Sequence, residues 1–503
     1  MRLHHISGDD VTFLYDHSQG DKPRVGDSYY VREAGSTEAL VVQVVALETF
    51  NFPSLGEVLM RQIMEESYGE GKVRTFLEPT NAPQVENLGQ AMGKIRRRLT
   101  KDGDWMIWNG WLPSRNVEIT RVDDEELLLR CGLLTPKNPL QIGETLDGRL
   151  FAIEGRSFEK VNVITSLKGM GKSHLAKVLI LELIRQGMAC VVFDVNREYN
   201  RLPPLVVDGG QVSEPGTIVL SASRNFRVTV ESYGRRALIR LFQNFNPTEN
   251  TQNTFELHVN RGFDQLEQID LANQQNPDQQ RERPFLNIQH LRTLFPGPPQ
   301  THETVYRAIM DRLDQIEGLN LFAATEAEGA SFHRQYELCA QRGGVIVVDL
   351  SPLSSRFARE VFVGATLDMV ETVAGTSDRL PFVFFEEAHL YTAGDRIENL
   401  VTRARHLGIT STFVTNMVTQ LNETVLRQVD NLFLLYLPHR DDVRHVAKSA
   451  TTDEETVSAF AQRIERYHAL VVGAASGSYP LVFRVATPEG VDMAGETRFA
   501  FPA

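Results

Sequence analysis

The chain has 503 residues, 42% hydrophobic and 23% charged, with a formal net charge of −13, an ordinary globular balance with length for roughly two to four domains. The acidic surplus excludes a surface coated for nucleic acid, because non-specific affinity rests on Lys and Arg meeting phosphates; a local basic channel stays open. No apolar run reaches the roughly 18 residues of a membrane span, the start lacks a signal-type apolar stretch, and Cys131, Cys190 and Cys339 lack metal-ligand spacing, so the expectation is a cytoplasmic protein with no membrane partner, disulfide framework or structural zinc.

In chain order, "VTFLY", "SYYVRE" and "ALVVQVVALE" are short β-branched and aromatic runs split by turn-rich segments, which predicts strands. A helical excursion over about 52–103 follows. Ser54 and Glu57 make a capping box, Leu55, Val58, Leu59 and Ile63 recur at helical spacing, and a second helix is expected to end in "KIRRRLTKDG". "NVEITRVDDEELLLRCGLL" returns to strands. From "EKVNVITS" onward β and α segments alternate. "MACVVFDV", "GGVIVVDLS", "LPFVFFEEAH", "ITSTFVTN" and "NLFLLYL" are near-continuous apolar strands, the pattern of a sheet covered on both faces. The Gln-, Asn- and Glu-rich stretch over about 232–342, which includes "LEQIDLANQQNPDQQRERP", reads as a helical insertion with one floppy segment. The tail over 489–503 is short and aromatic, either a frayed end or a segment that docks on a neighbouring subunit.

The chemistry concentrates in two places. "SLKGMGKSH", Ser166 to His174, sits between an apolar strand and a helix with Leu175, Val178, Leu179 and Leu183 on its inner face. Backbone N–H groups of such a loop wrap phosphate, and the helix N-terminus adds positive potential. Gly169 and Gly171 occupy the places nearest the phosphates, Lys172 reaches β/γ oxygens and Ser173 ligates Mg²⁺. Leu167, Lys168, Met170 and His174 complete the stretch, and Ser166 stands where the first loop glycine is expected. "PFVFFEEAHLY" ends a buried strand in two acids. Glu386 is expected at the Mg²⁺ and Glu387 at the attacking water; an acidic helix cap is the bland alternative. Asn416, after "TFVT", either holds the lytic water or is a strand-end amide. Arg403 and Arg405 lie two positions apart, so at most one faces a nucleotide; a surface salt bridge is the alternative for each. Asp194 and Glu198 either touch the metal shell or cap their loop.

These segments together resemble the HerA-type ATPases of the HerA–FtsK superfamily, hexameric P-loop motors that translocate duplex DNA. "SLKGMGKSH", "VVFDVNREYN", "VIVVDLSPLS", "FVFFEEAHLY", "TRARHLGITSTFVTNMVTQL" and "VDNLFLLYL" stand in family order. The resemblance implies an α/β fold class: an N-terminal β-barrel over 1–155, including "RVGDSYYV" and "LTPKNPLQIGE", and a RecA-like ATPase core over 156–488 carrying the helical insertion. It implies ATP and Mg²⁺ at Lys172, Ser173 and Glu386, hydrolysis driven by Glu387, and Arg403 or Arg405 acting from a neighbouring subunit of a homo-hexamer. Asn416 departs from the glutamine usual in the family. The implied function is an ATP-driven double-stranded DNA translocase serving a partner nuclease or other effector, in DNA-end processing or anti-phage defence. Two other readings share the core: a hexameric scaffold whose ATP turnover gates an effector, and a secretion- or conjugation-type ATPase. "KIRRRLTK", Lys94 to Lys101, is the densest basic run; it is read as a solvated helix face or a docking patch for an acidic partner before a DNA contact.

Overall fold

The computed structural model describes residues 1–16, 22–49, 88–114, 116–222, 224–276, 280–329, 332–391, 402, 406–449 and 452–494. Its first part is an antiparallel sheet of β1 (Arg2–Ser7), β2 (Asp10–Asp16), β3 (Ser28–Glu33), β4 (Ala39–Thr49), β5 (Leu88–Leu99), β6 (Trp105–Met106) and β7 (Val117–Arg121), in the order β1-β2-β5-β4-β3-β7 with β6 on β5. Alternate residues Val11 and Phe13, and Leu40, Val42 and Val44, point to one buried cluster, the period-two burial of a one-sided sheet. Among the described residues the strands form a half-barrel-like antiparallel sheet with no hydrogen-bonded ladder between β1 and β7.

The helical excursion is corrected in part. Residues 52–87, with the capping-box pair, lie outside the described residues, but "GKIRRRL" is strand β5, paired with both β2 and β4. Two glycines explain why. A Cβ on Gly89 would stand 2.3 Å from the Tyr15 ring, and one on Gly93 would stand 2.6 Å from Val42, so the strands approach only because neither residue has a side chain. The charges are matched by distant partners. Lys94 Nζ lies 2.6 Å from Asp10 and 2.8 Å from Glu455, Arg96 donates to Asp453 at 3.0 Å and Thr456 at 2.6 Å, and Arg98 pairs with Glu38 at 2.6 Å. The basic run therefore ties the first sheet to the helix Glu454–Ala461 and is neither a helix face nor a free cationic surface.

The remaining strands are β8 (Pro139–Thr145), β9 (Leu150–Glu154), β10 (Val161–Thr165), β11 (Ala189–Asp194), β12 (Val206–Asp208), β13 (Gln211–Glu214), β14 (Gly216–Ser221), β15 (Gly344–Asp349), β16 (Phe382–Glu386), β17 (Thr410–Thr415), β18 (Asn431–Leu434), β19 (His468–Gly473) and β20 (Leu481–Val485). Apart from the β12–β13 hairpin they form one sheet, β14-β15-β11-β16-β17-β10-β18-β19-β20-β8-β9. Its first seven strands pair parallel and the rest antiparallel. β8 and β9, expected in the N-terminal domain, extend this core sheet. Gly143 makes the join: a Cβ there would meet the Arg484 carbonyl oxygen at 1.9 Å.

Both faces of the sheet are covered, as near-continuous apolar strands require. Val191 and Phe193 of β11 face one cluster and Cys190 and Val192 the other. On the first face Phe193, Phe385 and Phe413 stack across three strands at 5.4 and 4.9 Å. The second face holds the helix Lys172–Arg185, through Leu175, Val178, Leu179 and Leu183. Between β14 and β15 the chain runs through the helices Arg235–Gln243, Glu249–Gln275, Glu303–Gly318 and Phe332–Arg342, held by the stack Phe242–Phe255–Phe295 at 3.7 and 5.5 Å. "LEQIDLANQQ" continues the long helix to Gln275. Leu266 is buried and anchors it. No helix among the described residues is long and apolar enough to cross a membrane.

Candidate nucleotide-binding site

The carboxyl ends of the parallel strands form one edge, where ligands bind in open α/β sheets. β10 delivers the loop. Ser166 is fully buried, its hydroxyl donates to the Leu167 carbonyl at 2.9 Å, and it is absent from the positive-φ residues. The position thus makes no demand for glycine, which is why serine is accommodated. Gly169 and Gly171 do make that demand, at φ +84° and +109°, angles costly for any side chain. Leu167 and Lys168 are exposed at the loop's tip and Met170 is half-buried. Leu167 N–H donates to the Tyr436 carbonyl at 2.8 Å, fixing the loop to the end of β18. His174 meets the Ala486 carbonyl at 2.7 Å.

β16 brings the acids to the same point. Lys172 Nζ stands 3.2 Å from Glu387 Oε1 and 3.9 Å from Glu386 Oε1, and Ser173 Oγ donates to Glu386 Oε1 at 3.1 Å. Lys172, Glu386 and Glu387 are all buried. Burial pushes the Glu386 carboxyl up to about 7 although the Lys172 ammonium opposes this, since a low-dielectric site penalises the charged form. Glu387 holds a left-handed backbone, φ 48° and ψ 47°, a strained state that aims it out of the strand.

Two side chains that sequence reasoning passed over complete the cluster. The Tyr199 hydroxyl donates to Glu386 Oε2 at 2.6 Å, and Tyr391 donates to the Glu386 carbonyl at 2.7 Å. Both tyrosines are buried, and a buried hydroxyl needs a partner; that is the signal available in "REYN" and "HLY". Asp194 accepts from Asn196 and Tyr199 backbone N–H at 3.0 and 2.9 Å, and burial pushes its carboxyl up to about 6. Glu198 lies 3.7 Å from the buried Lys177. These two acids brace the loop. His389 meets Thr415 Oγ1 at 3.0 Å and stands 3.5 Å from Glu387 Oε2. Asn416 lies at the end of β17, the strand between β16 and β10. Arg403 and Arg405 lie outside the described residues.

Three buried polar atoms at this edge have no hydrogen-bond partner among the described residues: Thr165 Oγ1, Glu387 Oε2 and Asn416 Oδ1. Buried polar atoms are rarely left so, and the three flank the lysine–glutamate cluster. A serine hydroxyl sharing a carboxylate oxygen is an all-oxygen donor set of the kind Mg²⁺ takes alongside substrate phosphates. The residues therefore fit a metal–nucleotide ligand.

A glycine loop leading into Lys-Ser at a helix start, facing acids at the end of a second parallel strand, defines the nucleotide site of a P-loop ATPase. Residues 164–370 match the family model described as the central domain of the helicase HerA. Among solved structures the chain is similar to VirB4 of Thermoanaerobacter pseudethanolicus, at 14% identity and a TM-score of 0.48 over 71% of this chain and 98% of that one. It is also similar to the plasmid coupling protein TrwB in complex with a non-hydrolysable ATP analogue, at 13% identity and 0.47 over 75% and 96%. The genome packaging NTPase B204 of Sulfolobus turreted icosahedral virus 2, in complex with ATP-γ-S, matches at 11% identity and 0.33 over 65% and 97%. No curated protein matches the chain.

Proposed function

We propose that the chain is an ATP-driven motor subunit that assembles as a homo-hexameric ring and translocates double-stranded DNA for a partner nuclease or other effector. The observation that carries the enzymatic part is the buried cluster in which Lys172 bridges Glu386 and Glu387 while Ser173 shares Glu386. One triphosphate exchanges partners there: the Lys172 ammonium leaves the carboxylates for β/γ oxygens, and loop N–H groups of Gly169 to Ser173 donate to the phosphates. Ser173 and Glu386 are the residues that would hold Mg²⁺, which when bound neutralises phosphate charge. Glu387, released from Lys172, accepts the proton of the attacking water, with Asn416 orienting it. Arg403 or Arg405 of a neighbouring subunit neutralises charge developing on the γ-phosphoryl group. An enclosed duplex needs only a few inward cations per subunit, repeated around the ring, which is compatible with the net charge of −13.

ATP hydrolysis by the purified chain, measured with and without linear duplex DNA, tests this reading. A motor is stimulated several-fold by DNA. Turnover indifferent to DNA and raised only by a co-purifying protein would favour the gating scaffold instead.

A further inference from the structure

The loop and the acids account for the phosphates of a nucleotide and leave its base unassigned. The sheet order sets where the base can go. The acids end β16, two strands to one side of the loop-bearing β10; two strands to the other side is β19, antiparallel to β18, so that its first residues reach the same edge. At about 4.8 Å per strand, the axis of each lies roughly 10 Å from that of β10. A triphosphate whose γ end faces the acids directs its nucleoside toward β19.

Tyr467, immediately before β19, stands there. The residue is 39% exposed. Its backbone is left-handed, φ 62°, a strained state for an aromatic residue that persists only where the surroundings impose it. The loop imposes it: Tyr467 N–H donates to the Met170 carbonyl at 3.2 Å and its carbonyl accepts from Val485 at 2.8 Å. A Cβ on Gly171 would lie 2.9 Å from the ring's Cδ1, so the glycine leaves the ring room against the phosphate loop. The ring centroid is 5.2 Å from that of His174, the residue after the Mg²⁺-site serine, and the Arg466 guanidinium lies 4.8 Å from it. An exposed aromatic held rigid beside a phosphate loop, and already stacked by a planar cation, suits a second flat π-system.

We infer that Tyr467, flanked by Arg466 and His174, is the stacking platform for the base of the bound nucleoside triphosphate. This rests on the phosphate site proposed above and adds the subsite for the nucleoside. Stacking is read from loss of affinity on truncation, on the order of ten-fold for one base on one aromatic ring. The test compares two probes, ATP and inorganic tripolyphosphate, each with Mg²⁺, binding to the full chain by calorimetry. Tyr467→Ala should weaken ATP about ten-fold and leave tripolyphosphate within two-fold, and Tyr467→Phe should bind both as the parent chain does. Unchanged ATP affinity in Tyr467→Ala overturns the inference. So does equal loss of both probes in that variant, which would make the tyrosine a prop for the loop. Failure of the parent chain to bind tripolyphosphate or ATP overturns the phosphate site itself, and the inference with it.

Discussion

Replacing Lys172 with methionine perturbs the centre of the site without changing its bulk. In the ligand-free protein its ammonium lies 3.2 and 3.9 Å from two buried carboxylates, gross attractions of about 5 and 4 kcal/mol at an effective dielectric constant of about 20. Desolvation opposes much of this, and removing one partner of a buried pair costs about 3–5 kcal/mol. The cost depends on pH, and its sign follows from Glu386. That carboxyl sits at about 7 in the fold against 4.5 ordinarily, because of burial. The folded state keeps a proton that the unfolded chain has shed, so this group's contribution to stability declines as pH rises from about 4.5 to about 7. Without Lys172 its folded value moves higher still, and the decline extends to higher pH. At pH 5.5 Glu386 is already largely protonated in the parent fold, and the substitution removes chiefly the pairing with Glu387. At pH 8.5 the parent has an ionised, paired Glu386 and the variant an unpaired one. Urea unfolding of the ligand-free chains should show a loss of about 3–5 kcal/mol at pH 8.5 and one smaller by about 1 kcal/mol or more at pH 5.5. Equal losses at both pH values would refute the coupling of Lys172 to Glu386.

Gly171→Ala forces a side chain into φ +109° and against Tyr467 at 2.9 Å. It should weaken ATP binding at least ten-fold in a calorimetric titration while the circular dichroism spectrum is kept. Arg96→Ala removes hydrogen bonds to Gln43, Asp453 and Thr456, and should destabilise the packing of the first sheet on the core by on the order of 2 kcal/mol, read in urea unfolding. Asn162→Leu breaks a buried chain in which Asn162 donates to Thr412 and accepts from Asn431 at 2.8 Å. It should cost about 2–3 kcal/mol by the same measurement, since one buried N–H of the Asn431 amide loses its acceptor. Lys94→Ala should leave any stimulation of ATPase by duplex DNA unchanged, because Lys94 is 6% exposed and matched by Asp10 and Glu455.

What the sequence disclosed follows from how local each signal is. The glycine loop, Lys172 and the apolar run before Glu386 each announce themselves within about ten residues, and period and composition suffice to place them at strand ends. β5 was unreadable for the opposite reason. "KIRRRL" reads as a helix tail in isolation, and only Asp10, Glu38, Asp453 and Glu455 show why Lys94, Arg96 and Arg98 can lie along a largely covered strand. The pairing of β8 with β20 was unreadable likewise, because the two strands lie some 340 residues apart. Tyr199 and Tyr467 carry no motif. One is recognised by its hydroxyl reaching Glu386 across two strands' ends, the other by a backbone angle that the loop imposes from another part of the sheet.

The account stands on one triphosphate lying between Lys172 and the glutamate pair, with Glu387 activating water. Single-turnover hydrolysis of Mg·ATP by Glu387→Gln, measured beside its ATP affinity, tests this most directly. ATP affinity within a few-fold of the parent, with hydrolysis slowed at least a hundred-fold, is the predicted result. Hydrolysis at the parental rate by the ATP-saturated variant would contradict it.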